Sequence, residues 1–197
     1  MTDTRNADLT FGATDYLVYL AAANTAAPTA FADPATAWQC LGWVTTEGGL
    51  FKIEGETKDV NAAGSLDAIR TLRTKSTKSA QVTFLEGLNP LVRSLYDDVA
   101  VTALQPTTDI ASYDLPDKPA DLHYAFLFDT MDGSKRMRLY MPNGQVSDRG
   151  DEQPQTEDVM SVRMTFKFFK GASNAAAVKR FIKYGGVDVS GFFPVGP

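Results

Sequence analysis

The chain has 197 residues, of which 44% are apolar, and this is enough for one sizeable hydrophobic core. Its formal net charge of −5 argues against tight, sequence-independent binding to nucleic-acid backbones, because that affinity depends on Lys and Arg. No apolar run approaches the roughly 20 residues of a membrane-spanning helix, and the N-terminus lacks a signal-peptide pattern. We therefore expect one cytosolic domain without a membrane partner.

The N-terminal part of the sequence predicts an arm followed by a buried strand. Residues 1–15 are polar and have few apolar anchors, so we expect this arm to be ordered only against a neighbour. Residues 16–21 are apolar on both faces and rich in β-formers, which indicates a buried strand. Pro28 and Pro34 then predict a loop, because proline removes a backbone donor. Strand character resumes over residues 38–45.

Residues 46–65 predict a long loop rather than a tight hairpin. Phe51 and Ile53 alternate with charged residues, as in an extended segment with one apolar face. Gly55 and the tract of residues 59–64 weaken that pattern. Loops of this length are uncommon in compact domains and usually bind something or are mobile.

The next segment predicts two strands and one short helix. Residues 69–75 and 80–86 form a candidate strand pair. Asn89 can cap a helix, and Pro90 takes the first helical position, where its missing donor costs nothing. We therefore expect a helix over residues 89–97.

The second half of the chain predicts several strands. Residues 124–128 alternate up to Asp132-Gly133, a preferred hairpin turn pair, and residues 137–141 give the return strand. Asn143-Gly144 offers a further tight turn or a bulge. The longest alternation covers residues 160–168, so one side of that strand is expected in the core and the other side faces something polar.

These elements predict a mainly β fold, a sandwich or barrel with a helix packed across it. Residues 16–184 would form its single domain, and residues 185–197 a C-terminal arm. Phe192 and Phe193 lie between glycines in this arm. They predict either a docking surface for another molecule or packing of the arm against the same subunit.

The sequence has no constellation that catalysis or metal binding requires. His123 is the only histidine, and its position in a strand pattern indicates a hydrogen-bonded strand residue. Cys40 is the only cysteine and is expected to be a small buried apolar side chain. The basic run over residues 70–78 is typical of a solvated or acid-paired strand face. We therefore predict no enzyme, and no catalytic, cofactor-binding or metal-binding residues.

Residues 41–86 also carry a recognisable series of motifs. A glycine-aromatic strand, Leu41-Gly-Trp-Val, is followed by an acidic Gly-rich connection, and then by an Ile69-Arg-Thr strand. A further strand ends in Leu85-Glu86 before the short helix. This series resembles the major tail tube protein of long non-contractile-tailed bacteriophages (siphoviruses), and the resemblance extends over residues 16–184.

The resemblance implies a structural virion protein. In that family a β-sandwich with a flanking helix forms hexameric rings with a continuous inner β-barrel, and the rings stack into a hollow tail tube. The tube conducts the phage genome into the host, so double-stranded DNA would pass transiently and without specific binding. Tape measure protein and tail terminator or tip proteins are the further partners implied. The location implied is the virion tail, assembled in the bacterial host cytoplasm.

The resemblance also implies contact residues. In the family, the long loop between the early strands contacts the next ring, and residues 46–65 match it in place and in Gly-rich, acidic character. The expected inter-ring contacts are Glu47, Phe51, Ile53, Glu54 and Asp59, with Phe51 and Ile53 as the apolar points. Phe192 and Phe193 are the expected docking residues of the terminal arm.

Physical chemistry adds an expectation about the channel. An open sheet edge recruits another strand, and identical subunits related by a closed rotation satisfy such edges in a ring. A channel that conducts DNA should not bind the phosphates tightly. An acidic or neutral lumen meets this condition, and we expect a net acidic one. Arg163 and Lys167 lie on the polar face of residues 160–168. If that face lines the channel, acidic neighbours must offset these charges.

Two other classes of protein remain open at this point. A tail terminator or head-tail joining protein would form single rings and stop. A monomeric β-sandwich binding module, for instance for carbohydrate, would need surface tryptophans. Only Trp38 and Trp43 are present, and both lie in a strand context.

Overall fold

The computed structural model describes residues 5–61, 63, 67–104, 109–118, 120–152, 154, 156–172 and 176–189. Within these residues the protein is mainly β with a single α-helix, as the sequence predicts. The strands are β1 (Asp15–Ala22), β2 (Gln39–Cys40), β3 (Val44–Asn61), β4 (Ala68–Phe84), β5 (Tyr124–Asp132), β6 (Lys135–Arg149), β7 (Val162–Phe169) and β8 (Lys179–Lys183), and the helix is α1 (Pro90–Asp97).

The strands form one antiparallel sheet that changes partners along β6. The order is β2-β1-β5-β6-β7-β4-β3, and β8 also pairs with β6. The first part of β6 pairs with β8 and its last part pairs with β7, while β5 lies along the other edge. The sheet therefore consists of two parts that share β6: a β2-β1-β5-β6-β8 part and a β6-β7-β4-β3 part.

The apolar faces of these two parts enclose the main core. Phe126 of β5 and Phe166 of β7 meet across it, with ring centroids 4.8 Å apart. Burial at every second position of β7 shows why this strand alternates: Val162, Met164, Phe166 and Phe168 point inward. Tyr16 of β1 also lies against Gly49 of β3, so the two ends of the sheet approach each other.

Helix α1 covers one end of this core, at the place and with the cap that the sequence predicts. The Asn89 side chain accepts a hydrogen bond from the Leu91 amide at 3.0 Å, and Pro90 begins the helix. The helix ends at Asp98, which adopts the left-handed conformation with φ 60°. Val92 and Leu95 are buried in the core, so packing stabilises this short helix.

The long loop predicted over residues 46–65 is wrong as secondary structure. Residues 44–61 form the single strand β3, and residues 69–75 and 80–86 do not form two strands, because β4 runs unbroken from Ala68 to Phe84. The glycines suggested a loop, but antiparallel pairing with β4 keeps β3 extended through Gly49 and Gly55. Residues 45–48 of β3 bulge out of the pairing, and two smaller register shifts follow at Glu56–Thr57 and Val60–Asn61.

Two further expectations are corrected. Cys40 is exposed rather than buried, because it lies on β2, a short strand at the edge of the sheet. The N-terminal segment does not depend on a neighbour for all of its contacts. Lys135 donates to the Thr10 carbonyl at 2.8 Å, and Asp132 accepts from the Gly12 amide at 3.0 Å, so the β5–β6 turn of the same subunit holds residues 10–12.

Candidate assembly surfaces

The β6-β7-β4-β3 part of the sheet, here called the open sheet, has a free edge on each side. No strand of the described chain pairs with the outer edge of β3. At the other side, residues 145–149 of β6 pair only with β7 within the described residues, because pairing with β5 stops at Gly144. Free strand edges present unpaired N–H and C=O groups, which are a template for another strand.

The outward face of the open sheet, here called the polar face, is not covered by another element of the described chain. It forms a concavity of about 530 Å³ lined mainly by hydroxyl, amide and charged side chains. Gln81 donates to the Thr165 hydroxyl at 3.3 Å, and Ser147 donates to the Thr165 carbonyl at 3.1 Å. Basic side chains outnumber acidic ones on this face. The basic side chains are Lys52, Lys58, Arg70, Lys75, Arg163 and Lys167, and the acidic ones are Glu54, Glu56 and Asp148.

The outward face of the other part of the sheet is covered by residues 23–37, here called the clamp loop. Trp38, Leu127 and Tyr140 form a second buried cluster beneath it. The Tyr140 hydroxyl donates to the Thr25 carbonyl at 2.7 Å, which holds the start of the loop. This face is therefore occupied by the subunit itself.

A buried ion pair fastens the middle of the clamp loop. The Arg138 guanidinium, which has no exposed area, donates to both oxygens of Asp129, with each N–O distance at 2.6 Å. The same guanidinium donates to the carbonyls of Ala30 and Ala32 at 2.9 and 2.8 Å. A buried charge that is paired and hydrogen-bonded in this way costs much less than an unpaired one. The pair therefore joins the β5–β6 hairpin to the loop that covers it.

The distal ends of β3 and β4 project beyond the rest of the open sheet. Pairing of β4 with β7 stops at Lys78, whereas pairing of β4 with β3 continues to Asn61. Residues 54–61 and 68–77, here called the ribbon, therefore form a two-stranded extension about 26 Å long, at ~3.3 Å per residue. Nearly all of its side chains are exposed. Lys75 and Glu56 form an ion pair across it at 2.6 Å.

The opposite end of the open sheet carries α1 and a network of charged side chains. Arg93 of α1 pairs with Asp97 at 3.1 Å and with Glu152 at 2.8 Å. Arg149 at the end of β6 pairs with Asp98 at 3.2 Å. These contacts fix α1 to the connections around it, and we call this region the helix end.

The structure places the sequence-predicted contact residues in different environments. Glu47 lies in the bulge near Tyr16 and Trp43, at the end of β3 opposite the ribbon. Phe51 packs against the core, and the Arg180 guanidinium lies 5.7 Å from its ring centroid. Ile53, by contrast, is 64% exposed.

The two remaining acidic residues of that set are separated as well. Glu54 lines the concavity of the polar face, whereas Asp59 lies further along the ribbon and accepts a hydrogen bond from Thr71 at 2.6 Å. Phe192 and Phe193 lie outside the described residues. The inter-ring role of the predicted set therefore stays a prediction.

Sequence reasoning missed several exposed apolar side chains. Ile69 and Leu72 lie on the ribbon, and Leu88 and Ile110 lie at the helix end. Ile69 and Leu72 lie in a strand pattern, and an apolar residue in such a pattern is normally assigned to the core, so the sequence held no signal for the exposure of these two. The Asp129–Arg138 pair could have been found, because a tight turn between Asp132 and Lys135 fixes the register that places these two residues opposite each other.

Several of the described titratable side chains hold parts of the subunit together. His123 Nδ1 lies 2.6 Å from Asn143 Oδ1, and Nε2 lies 3.1 Å from Asp121 Oδ1, so the ring bridges two surface segments. Burial raises the pKa of the Tyr16 hydroxyl, which lies against Gly49. Within the described part of the chain, no group of three His, Cys, Asp or Glu side chains is placed to hold a metal ion.

A comparison with protein-family models agrees with this architecture. The model described as "Phage tail tube protein" matches residues 4–184. The chain belongs to the phage tail tube protein family. It is therefore a structural protein of the virion tail, and the family implies self-assembly into a tube. A search of curated proteins found no match. None of the described helices of this tail tube protein has the length and apolarity needed to cross a membrane.

Proposed function

We propose that this protein is the major subunit of a long, non-contractile phage tail, and that its copies join edge to edge into closed rings. The observation that carries the proposal is the open sheet, in which four antiparallel strands leave one free edge on β3 and one on β6. With an even number of strands, β3 of one copy runs antiparallel to β6 of the next copy related by rotation. The repeated contact is heterologous, so a closed rotation makes a ring.

The polar face is the surface that would line the bore of such a ring. The clamp loop covers the outward face of the other sheet part, whereas the polar face is concave and no described element covers it. Its short hydroxyl and amide side chains offer few aromatic platforms on which bases could stack. Its charges are net basic rather than net acidic, because Glu54, Glu56 and Asp148 offset only part of the basic side chains. For double-stranded DNA to pass with little electrostatic attraction, acidic residues outside this face must offset the remainder.

The proposal extends to the assembly and its partners. Rings of six copies, as the resemblance implies, would stack into the tube that conducts the genome into the host. A tape measure protein would occupy the bore during assembly in the host cytoplasm, and terminator or tip proteins would close the ends. A tail terminator, which forms single rings, is the alternative that the test below separates.

Cross-linking between free edges tests ring formation. On a Cys40→Ser background, Lys52→Cys on β3 is combined with Ser147→Cys on β6, and a bifunctional thiol reagent is added. Within one subunit these strands are separated by about 14 Å, at ~4.8 Å per strand, so a shorter reagent must link different subunits. We expect a ladder of covalent oligomers that ends at the closed ring of six copies.

A matched control uses Lys52→Cys with Thr29→Cys, because Thr29 lies in the clamp loop, away from the open sheet. This pair should give no ladder. Negative-stain microscopy over a concentration series then shows whether rings lengthen into tubes by mass action. Isolated rings at every concentration would favour the terminator function, and a monomer that never cross-links would contradict the proposal.

A further inference from the structure

The chain between α1 and β5 returns along the free edge of β6. Its described residues, 109–118 and 120–123, are here called the strap, and none of them belongs to a helix or a strand. At the helix end, the Tyr113 hydroxyl donates to an Asp97 carboxylate oxygen at 2.7 Å. Tyr113 also lies beside Glu152, which follows the last residues of β6 in the chain. The first part of the strap is therefore fastened where β6 ends.

The last part of the strap is fastened where the free edge of β6 begins. Asp121 accepts a hydrogen bond from the Gln145 side-chain amide at 3.4 Å, and the same carboxylate lies 3.1 Å from His123 Nε2. The other ring nitrogen of His123 lies 2.6 Å from Asn143 Oδ1. Because β6 runs from Asn143 towards the helix end, the two fastenings lie at opposite ends of its free edge.

Chain length and exposure together set the path between the two fastenings. The free edge over residues 145–149 spans about 13 Å, at ~3.3 Å per residue. The chain from Tyr113 to Asp121 reaches at most about 28 Å, at ~3.5 Å per residue, so it has little slack for a detour. Most strap residues are exposed, so they do not pass through the core, and none of them lines the concavity of the polar face. The route that remains lies beside the free edge.

The strap lies along this edge without pairing with it. None of its backbone N–H groups donates to a carbonyl of β6, and Pro116 has no N–H to donate. Leu115 is 67% exposed, and so is 75% of Ile110, which lies near the groove of about 440 Å³ that Leu88 lines at the helix end. Because the strap gains little from packing, its two fastenings hold it in place. Covering a free edge with a loop is one way in which proteins prevent unwanted strand pairing.

We propose that the strap guards the β6 edge of the free subunit and moves aside before β3 of another copy pairs there. This inference rests on the proposed joining of copies edge to edge, and it adds a control on when joining begins. The closed strap and an incoming β3 need the same space beside residues 145–149. Assembly then proceeds only through the fraction of subunits whose strap is open, so the two fastenings set its rate.

Loosening either fastening tests the guard in the full-length protein. Tyr113→Phe removes the hydroxyl that donates to Asp97, and Asp121→Ala removes the acceptor that Gln145 uses. Loss of one hydrogen bond should raise the open fraction roughly threefold to tenfold, and the initial rate of assembly by the same factor. Light scattering at a fixed protein concentration measures this rate.

Two matched controls leave the fastenings intact. Tyr96→Phe removes a hydroxyl at the helix end that donates to the Gly150 carbonyl at 2.8 Å rather than holding the strap. Asp117→Ala removes the same charge from the strap as Asp121→Ala, and Asp117 forms no hydrogen bond or ion pair with another described residue. We expect both controls to assemble at the wild-type rate.

A reversible bridge tests the opposite effect. Asp121→Cys is combined with Gln145→Cys on a Cys40→Ser background and oxidised at a concentration that keeps the protein monomeric. The disulfide would hold the strap against the edge, and assembly should slow by about tenfold or more. Reduction should restore the rate of the same protein, which a folding defect could not explain.

The outcomes separate this inference from the proposed function. The guard would be overturned if Tyr113→Phe and Asp121→Ala assembled at the wild-type rate, or if the controls accelerated as much as they do. An oxidised bridge variant that assembles as fast as its reduced form would also overturn it. All three results leave ring formation in place. A wild-type protein that never joins edge to edge in the cross-linking test would overturn both proposals.

Discussion

Two antiparallel hairpins of this protein are built alike but surrounded differently. In the β5–β6 hairpin, residues 125–129 are buried on both faces, between the main core and the clamp loop. In the β3–β4 hairpin, the ribbon is exposed on both faces. An isolated two-stranded hairpin is marginally stable at best in water, so the ribbon gains little from its own subunit. The comparison indicates that the first hairpin stabilises the subunit, whereas the second contributes little to its stability.

The largest difference should appear when one carboxylate is removed from each hairpin. Asp129→Ala leaves the Arg138 guanidinium buried without its carboxylate, and we expect a loss of about 3–5 kcal/mol in the free energy of unfolding. Glu56→Ala breaks the exposed pair with Lys75, which water and salt already screen, and should leave the unfolding midpoint unchanged.

Denaturant unfolding followed by tryptophan fluorescence measures both effects. Asp129→Ala should also make the clamp loop sensitive to limited proteolysis, because Arg138 holds the carbonyls of Ala30 and Ala32. If Asp129→Ala and Glu56→Ala lowered the free energy of unfolding equally, the two hairpins would contribute equally to the stability of the subunit, which would contradict the comparison.

The same difference explains which parts of the fold the sequence could predict. Helix α1 was predictable because Asn89 and Pro90 are local signals, and β7 was predictable because Val162, Met164, Phe166 and Phe168 alternate with polar residues. The first strand of the ribbon gave no such signal, although the sequence predicts residues 69–75 of its second strand as a strand. Neither face of residues 54–61 is buried, so no period of two marks them as a strand, and Gly55 favours a loop.

The candidate site was predictable in kind but not in arrangement. The sequence contains strands with a polar face, and this correctly indicated a surface that faces something other than the core. The free edges of β3 and β6 depend on pairings between distant segments, as does the groove near Leu88 and Ile110. The strand propensity of a local segment does not say which distant segment it will pair with, because that pairing depends on the tertiary context.

Two glycines of β3, one packed against the rest of the subunit and one in the ribbon, offer a smaller test of the same contrast between packed and exposed segments. A methyl group on Gly49 would overlap the Tyr16 side chain, so Gly49→Ala should cost about 1–3 kcal/mol through overpacking. In the ribbon, the Cβ of Gly55→Ala would lie 3.6 Å from the Lys75 carbonyl oxygen, which is an ordinary contact. We expect this second substitution to be neutral or slightly stabilising, because alanine restricts the unfolded chain.

Thermal unfolding of the two glycine variants measures this difference. Tyr16→Phe removes the hydroxyl that the new methyl group would meet, so combining it with Gly49→Ala should recover part of the loss. A Gly55→Ala variant that unfolds as early as Gly49→Ala would mean that the ribbon is packed more tightly than its exposure indicates.

The smallest expected difference concerns one hydrogen-bonding side chain at the start of α1 and one in the ribbon. Asn89→Ala removes the cap of α1 and its 3.0 Å bond to Glu86, and should cost about 1 kcal/mol. Thr71→Ala removes the bond to Asp59 in the ribbon, where water can replace it, and should cost less than ~0.5 kcal/mol. Equilibrium unfolding at a concentration that keeps the protein monomeric isolates the subunit from assembly. If Thr71→Ala cost as much as Asn89→Ala there, the ribbon would contribute to the folding of the subunit itself.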